Sequence, residues 1–290
     1  MTVETTPRIA RVTVPRRGVR HDLRAVRVVL HREILRFLAD RTRIITMTLQ
    51  PILWLFVLGT GIGALMSGPL GSQGPDFRTF MFPGVISMSV IMTAMFSAGS
   101  IVWDREFGFL REMLVAPISR TSILIGKCLG GALVATLQGL VIVALAGLVD
   151  VPYSPLLILT LAAEMFLAAF TITAFGVLVA VRIKNMQTFF GVVQMAVMPM
   201  LFLSGAVFPL SNLPSWLSVL TSLNPLTYAV DPLRQAVFSH LNLTPAESLM
   251  FNPGISWFDW QVPVGVQLGL ISAAGLVLLL IAAIRFRRAD

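Results

Sequence analysis

The densest group of charged side chains beyond the N-terminal segment lies at Trp103–Arg120, where Arg105, Glu106, Arg111 and Glu112 alternate with apolar residues. Such a mixture suits a docking surface for another protein, because apolar groups give up water while charges select the partner. It also fits an ordinary amphipathic loop. The 3 His and 1 Cys have no partners at the spacing of metal ligands or of a nucleophile and its base. The sequence therefore predicts a binding surface, with no catalytic residues and no metal site.

Glu164 is the only acidic residue deep inside a long apolar run. An ionised carboxylate costs at least ~2.5 kcal/mol at the centre of a bilayer, so this group is expected to be protonated, paired or facing a cavity. A rise of about 1.5 Å per helical residue places Gln138 at a comparable depth. We therefore expect a protonated Glu164 bonded to Gln138, with a substrate-facing or proton-relay role as the alternative. Lys127 is expected to extend to the inner headgroups.

These side chains are carried by six apolar runs, each about 20 residues or longer and able to cross a hydrocarbon core of roughly 30 Å as a helix. The chain is 56% hydrophobic and 12% charged, with a mean hydropathy of +0.83, unlike an ordinary soluble domain. Backbone groups in lipid must bond within their own segment, so the runs are predicted to be helices. The fold class is all-α integral membrane protein, with spans at 44–66, 81–102, 121–149, 156–181, 188–208 and 264–284.

The basic residues fix the predicted orientation of these spans. Of the 22 Lys and Arg residues, only Arg78 and Arg234 fall outside alternate gaps between the runs. Basic segments stay on the cytoplasmic side, so both termini are predicted to be cytoplasmic in a bacterial inner membrane. The basic excess near the N-terminus is expected to meet anionic lipid, and no recognition motif indicates nucleic acid.

The sequence also predicts the structure of the segment that precedes the first span. Residues 1–21 form a basic tail predicted to be disordered, and 22–43 an amphipathic helix along the cytoplasmic face, before the membrane domain at 44–288. The apolar face of this helix is predicted to include Leu23, Val26, Leu30, Ile34, Phe37 and Leu38, and its polar side to include Arg27, Arg32 and Arg36. The helix is either a lipid anchor or a platform that also touches a partner.

The outer link before the last span, 209–263, is long, apolar and broken by prolines. It contains two segments with helical character, Ser215–Ser222 and Pro225–His240, each too short to span a bilayer. They are predicted to be re-entrant or interfacial helices.

Two motifs resemble those of the type-2 ABC exporter permeases. One runs from Arg105-Glu106-Phe107-Gly108 through Leu114–Arg120 to Gly126-Lys127, and the other is Leu223–Arg234, which contains Asn-Pro-Leu-Thr-Tyr. The chain is most similar to the subgroup of daunorubicin-resistance and nodulation-type permeases, over nearly all of 22–288. Asp231-Pro232 departs from the usual pattern.

The resemblance implies a membrane subunit that pairs with a second copy or a paralogue and docks a separate ATPase. The segment Arg105–Arg111 would be the coupling helix, with Glu106 and Arg111 in ionic contacts and Phe107, Phe109 and Leu110 in buried ones, and with Gly108 between them. It also implies an outer motif made of Asn224, Pro225, Tyr228 and Arg234. The chain lacks the G-x-x-x-x-G-K-[ST] phosphate loop, so ATP and Mg²⁺ are expected on the partner and no cofactor on this chain.

The predicted function is export of hydrophobic or amphiphilic compounds, such as drugs or lipids. A lipid-linked glycan is the nearest alternative cargo. A channel or secondary transporter working without ATP is the alternative from another class, and co-purification of a soluble ATPase would distinguish the two.

Overall fold

Helices make up nearly all of the described chain, as the apolar runs predict. A computed structural model describes residues 18–66, 77–109, 119–208, 210, 213–241, 254–257 and 260–288. Its helical elements, in chain order, are α1 (Val19–Ala39), α2 (Arg41–Leu53), a π-helical turn (Trp54–Leu58), α3 (Gly59–Met66), α4 (Phe77–Ala98), α5 (Ser100–Glu106), α6 (Arg120–Val143), a 3-10 turn (Ala146–Val149), α7 (Pro155–Ala180), α8 (Met186–Phe202), α9 (Ser215–Leu223), α10 (Thr227–Phe238) and α11 (Val264–Arg288).

Five helical stretches in the described residues are long and apolar enough to cross a membrane. They are Arg41–Ala64, Phe77–Glu106, Arg120–Val143, Pro155–Ala180 and Val264–Phe286. The predicted fifth span corresponds to α8, an apolar helix of 17 residues at the lower limit for a bilayer. The all-α membrane fold is confirmed, and the count of six spans stays a prediction.

The first span is locally distorted rather than one uniform helix. Pro51 lies inside α2, and the π-helical turn Trp54–Leu58 follows within one turn of it. Proline has no backbone N–H to donate, and single π turns commonly absorb such an interruption. This span is mostly exposed within one copy of the chain, whereas α4 is buried on nearly all sides.

The α4 helix is the centre of the bundle, with α6 and α7 packed against it and α11 packed on α7. Its buried face is almost wholly apolar and includes Phe80, Phe82 and Ile86 at no more than 2% exposure. Because α4 continues into α5 across a turn at Gly99, the two form one helical stretch that joins this core to the residues at the end of α5.

The α1 helix packs along the first half of α6, where Gly126 and Gly130 leave room for it. A Cβ on Gly126 would lie 2.8 Å from the Cβ of Val29, and one on Gly130 would lie 3.0 Å from the Cβ of Glu33. Small residues four apart allow two helix backbones this approach. The face of α1 that packs on α6 differs from the predicted apolar face. The buried positions of α1 are Ala25, Val29, Glu33 and Phe37, whereas Leu23 and Leu38 are exposed.

The outer link contains the two predicted short helices as α9 and α10. They are followed by a two-stranded antiparallel hairpin, β1 (Ser256–Trp257) and β2 (Trp260–Gln261). The α10 helix begins at Thr227, after a turn at Pro225 in which the side chain of Asn224 accepts a bond from the Leu226 N–H. It packs against α4, α7 and α11 and is buried along most of its length.

Candidate functional site

A buried ionic network joins α1, α5 and α6 at the predicted cytoplasmic side. The Lys127 Nζ lies 2.6 Å from Asp104 Oδ2 and 3.2 Å from Glu33 Oε1, and donates to Ser100 Oγ at 2.9 Å. The Lys127 side chain is 1% exposed. Its predicted extension to the headgroups is therefore wrong, because two carboxylates from other helices satisfy the ammonium inside the protein.

Arg32 and Arg36 of α1 complete this network from the solvent side. Arg32 Nη2 lies 3.0 Å from Asp104 Oδ2 and 3.4 Å from Glu33 Oε1, and Arg36 Nη1 lies 3.9 Å from Asp104 Oδ1. Burial alone would lower the pKa of Arg32, but the charges of Asp104 and Glu33 outweigh it and raise the pKa above its ordinary value. Three cations and two carboxylates thus tie the interface helix to the second and third spans. Arg27, the other predicted residue of the polar side, is exposed.

Arg105 and Glu106 bind the link between the fourth and fifth spans. Arg105 Nη1 donates to the carbonyls of Val181 at 3.1 Å and Ile183 at 2.9 Å, just past the end of α7. Glu106 Oε2 accepts from the Met186 N–H at 3.0 Å, the first residue of α8. A cation at a helix C-terminus and an anion at a helix N-terminus both complement the helix dipole. These two side chains therefore make intramolecular bonds, which the docking hypothesis did not foresee for either of them.

Aromatic side chains beside these charged residues are exposed. Phe107 is 58% exposed and Phe109 is 51% exposed, and the ring centroids of Phe107 and Trp103 lie 4.8 Å apart with the rings tilted by 36°. Gly108 between them has a φ of +82°, a left-handed conformation in which a Cβ would be strained, and it ends the helix. We call Trp103, Phe107 and Phe109 the aromatic patch. Leu110 and Arg111 of the predicted coupling helix lie outside the described residues.

The predicted intramembrane bond between Glu164 and Gln138 is not formed. Gln138 Nε2 donates at 2.8 Å to Thr48 Oγ1 of the first span, and Glu164 lies on α7 within electrostatic range of Asp231 on α10. Counting residues along the helices placed Glu164 and Gln138 at the same depth, but depth does not determine which helix faces meet. Gln138 sits on the face of α6 toward α2.

The outer motif ties the short helices to the end of the fifth span. Asn224 Nδ2 donates to the Met200 carbonyl at 2.7 Å. Arg234, 2% exposed, donates to the carbonyl of Gly205 and lies 4.8 Å from the ring centroid of Phe80.

Tyr228 ties the same unit to the hairpin. Its hydroxyl donates to the Ser222 carbonyl at 2.7 Å and accepts from Trp257 Nε1 at 2.7 Å. Pro225 is exposed at the turn before α10. The outer motif thus holds α9, α10 and the hairpin together.

A cavity of about 650 Å³ opens beside the ionic network, between α1, the first span, the end of the second and the start of α8. Arg36, Asp40 and Arg43 line its predicted cytoplasmic rim, and Met47 and Phe190 line its interior. The Nε and Nη2 atoms of Arg43 are buried and have no hydrogen-bond partner among the described residues. The volume falls in the range of small-molecule sites, and the lining pairs charge with apolar surface.

Sequence reasoning missed the ionic network, although signals for it were present. Glu33 stands at a four-residue spacing between Val29 and Phe37, on what proves to be the buried face of α1. Gly126 and Gly130 flank Lys127 and mark a close helix contact at its level. A charge on an otherwise small or apolar face indicates a partner of opposite charge on the facing helix.

Comparisons with known proteins agree with this architecture. The sequence profile of the ABC-2 type transporter family matches residues 24–238. The chain is 31% identical to the transport permease ycf38 of Cyanophora paradoxa, over 69% of this chain and 69% of that protein. It is 25% identical to Nodulation protein J of Rhizobium leguminosarum bv. viciae, over 77% and 83% respectively. It is 29% identical to the inner membrane transport permease YadH of Escherichia coli (strain K12), over 66% and 72%. The chain therefore belongs to the ABC-2 type transporter family and is a multi-pass membrane permease subunit.

Proposed function

We propose that this chain is the membrane subunit of an ATP-driven exporter that takes hydrophobic or amphiphilic compounds from the cytoplasmic side of a bacterial inner membrane. The observation that carries the proposal is the cavity beside the ionic network. Its charged rim would meet a headgroup, and its interior, with Met47, Phe96 and Phe190, would take an apolar body. Arg43, whose buried Nε and Nη2 have no hydrogen-bond partner within the described part of the chain, offers a donor for an anionic or polar headgroup.

The cytoplasmic surface supports docking of a separate ATPase subunit. The aromatic patch exposes Phe107 and Phe109 at the end of a helix that is continuous with the buried core of α4. Exposed aromatic side chains are enriched where proteins bind one another. Force applied at this patch would reach the second span directly and the fourth and fifth spans through Arg105 and Glu106.

The ionic network gives the same movement a second route. Asp104 of α5 is bonded to Lys127 of α6 and to Arg32 of α1, so the interface helix and the third span move with α5. A motion of this kind does work only when ATP binding favours one arrangement of the spans over another. We therefore propose that α1, α5 and the start of α6 act as one rigid unit on which the ATPase pushes.

The exposed face of the first span supports pairing with a second permease copy or a paralogue. Of the five long helical stretches, Arg41–Ala64 has the smallest buried share within one copy. Leu49, Leu53 and Val57 lie exposed along it. A second permease would cover such a face, and lipid would cover what remains.

The test is transport by the full chain with its co-purified ATPase in liposomes. The substrate is a short-chain fluorescent phospholipid, and the change is Thr46→Trp, which fills the cavity. We expect ATP-dependent movement of the lipid to fall at least tenfold while the ATPase still co-purifies. Leu49→Trp is the matched control, because Leu49 lies on the exposed face one turn away.

Several results would contradict the proposal. Equal transport by Thr46→Trp and Leu49→Trp would show that the cavity is not part of the transport route. Lipid movement that needs no ATP would favour a channel or secondary transporter. Absence of any ATPase from the purified complex would contradict the docking role of the aromatic patch.

A further inference from the structure

A second polar cluster lies in the outer half of the membrane domain, where α7, α10 and α11 meet. It consists of Glu164 on α7, Asp231 on α10 and Gln267 on α11, which are 5%, 6% and 0% exposed. None of these side chains lines the cytoplasmic cavity or belongs to the ionic network. The export mechanism proposed above leaves the cluster without a role.

Helix packing brings the three side chains together. Thr171 of α7 donates to the Ile271 carbonyl of α11 at 2.8 Å, which sets the register of these two helices. Glu164 lies two turns before Thr171 on one face of α7, and Gln267 lies one turn before Ile271 on the facing side of α11. Gln267 Nε2 donates to Asp231 Oδ2 at 2.8 Å. Glu164 lies within electrostatic range of the same carboxylate.

The two acids have different surroundings. Burial raises the pKa of Asp231, but its Oδ2 accepts from Gln267 Nε2 at 2.8 Å and from Gln235 Nε2 at 2.6 Å, and these bonds, the charge of Arg234 and the Ile255 N–H favour the ionised form. Glu164 Oε2 is buried and has no hydrogen-bond partner among the described residues. Two neighbouring carboxyl groups with such unequal surroundings divide into one ionised and one protonated group.

Gln267 supplies an acceptor for that proton. Its Nε2 donates both to Asp231 and to the Val262 carbonyl at 2.9 Å, so the orientation of the amide is set. Its Oε1 is then left buried, and no donor for it is found in the described part of the chain. A proton on Glu164 Oε2 that is donated to Gln267 Oε1 would satisfy both orphaned oxygens with one hydrogen bond.

We propose that Glu164, Asp231 and Gln267 form a proton-binding site, in which Glu164 holds the proton and donates it to Gln267 Oε1 while Asp231 stays ionised. The proton is taken from water at the outer side and returned to it, and no other bond changes. Loss of the proton places two carboxylates side by side in a buried site and loosens the contact of α10 with α7 and α11.

Other titratable groups do not substitute for this site. The titratable residues of α10 are Tyr228, Asp231 and Arg234; Tyr228 donates to the Ser222 carbonyl and Arg234 to the Gly205 carbonyl, and α11 presents Gln267. Lys127 and Cys128 of α6 lie in its predicted cytoplasmic half, and the acids of α5 lie at the same end. Arg78 is at the outer end of α4.

The test is infrared difference spectroscopy of the full chain in nanodiscs across a pH series. We expect a C=O stretching band of a protonated carboxylic acid at neutral pH, with an intensity that falls as the pH is raised. Glu164→Gln should abolish the band, because its amide is a neutral isostere that keeps the bond to Gln267. Gln267→Met should move the band to higher wavenumber, because the acid then has no acceptor. Asp150→Asn, at an exposed left-handed position in an outer turn, is the matched control and should leave it unchanged.

Three results would overturn the proposal. The band could persist in Glu164→Gln, it could fail to move in Gln267→Met, or it could be missing from the unchanged protein at neutral pH. If Glu164→Gln is not recovered as folded protein, Glu164→Asp replaces it: a displaced band supports the site and an unchanged band contradicts it. None of these readings depends on transport, so the site and the export function can fail separately.

Discussion

Replacing Lys127 by Met should be among the most damaging single changes in the chain. The sequence has only two lysines, Lys127 and Lys184, and their surroundings are opposite. Lys127 is buried between Asp104 and Glu33, whereas Lys184 is exposed in the link before α8. Met has nearly the length and shape of Lys without the charge, so Lys127→Met removes the ammonium and leaves the packing volume largely intact.

The expected loss of stability follows from the charges that Lys127→Met leaves unpaired. Two carboxylates with side chains 3% and 8% exposed lose their buried cation, and Arg32, which is 42% exposed, is then their nearest partner. Removing one partner of a buried ion pair typically costs about 3–5 kcal/mol. In a chain of this size that corresponds to a fall in the apparent Tm on the order of 10 °C.

The assay is thermal unfolding of the detergent-solubilised chain, followed by fluorescence-detected gel filtration at one heating rate, since unfolding of membrane proteins is commonly irreversible. Lys184→Met is the matched control and should unfold like the unchanged protein. Adding Glu33→Gln to Lys127→Met should recover part of the loss, because the double variant buries one charge fewer.

An apparent Tm for Lys127→Met within about 2 °C of the Lys184→Met value would refute the reasoning, since about 2–4 °C corresponds to only 1 kcal/mol. So would a double variant less stable than Lys127→Met. Either outcome would mean that the ammonium reaches water and that the network does not hold α1, α5 and α6 together.

The remaining predictions concern other contacts. Gly126→Val should destabilise the chain by about 1–3 kcal/mol in the same assay, because its side chain would collide with α1, whereas Gly191→Val, with open space around it, should not. Arg105→Met should reduce transport-coupled ATP hydrolysis severalfold without loss of ATPase binding, because the link after α7 is released, and the exposed Arg182→Met is its control. Arg234→Met should lower the apparent Tm, with protease cleavage appearing in the outer link, and a variant as stable as Arg182→Met would contradict the role given to its buried bond.

The apolar runs alone were sufficient for the all-α membrane class and for most helix bounds. The second and fourth apolar runs correspond to the helical stretches Phe77–Glu106 and Pro155–Ala180, which are close to the predicted spans. Length and hydropathy decide these elements because a backbone in lipid has no alternative to helical bonding. The fifth run gave a shorter helix than predicted, since nothing in its composition marks where α8 ends.

The side-chain partners could not be derived in the same way. Lys127 and Glu164 were both placed by depth along a helix, and depth does not say which face meets which neighbour. The rotation of α6 turned Lys127 toward Asp104 and Gln138 toward Thr48. On α7, Glu164 has a buried Oε2 with no hydrogen-bond partner among the residues that the structure describes.

The sequence by itself determined that this chain crosses a membrane, that it carries a charged segment with aromatic residues, and that it has an apolar link with two short helices before the last span. Those features depend on composition and on the spacing of residues close in sequence, which can be read without the tertiary structure. Only the tertiary structure decided that α1 buries Glu33 against Lys127, that Arg105 and Glu106 bind the link between α7 and α8, and that Asp231 of α10 meets Gln267 of α11. The physical reason is that an ion pair or hydrogen bond between helices depends on their rotation and offset, which packing of the whole bundle sets.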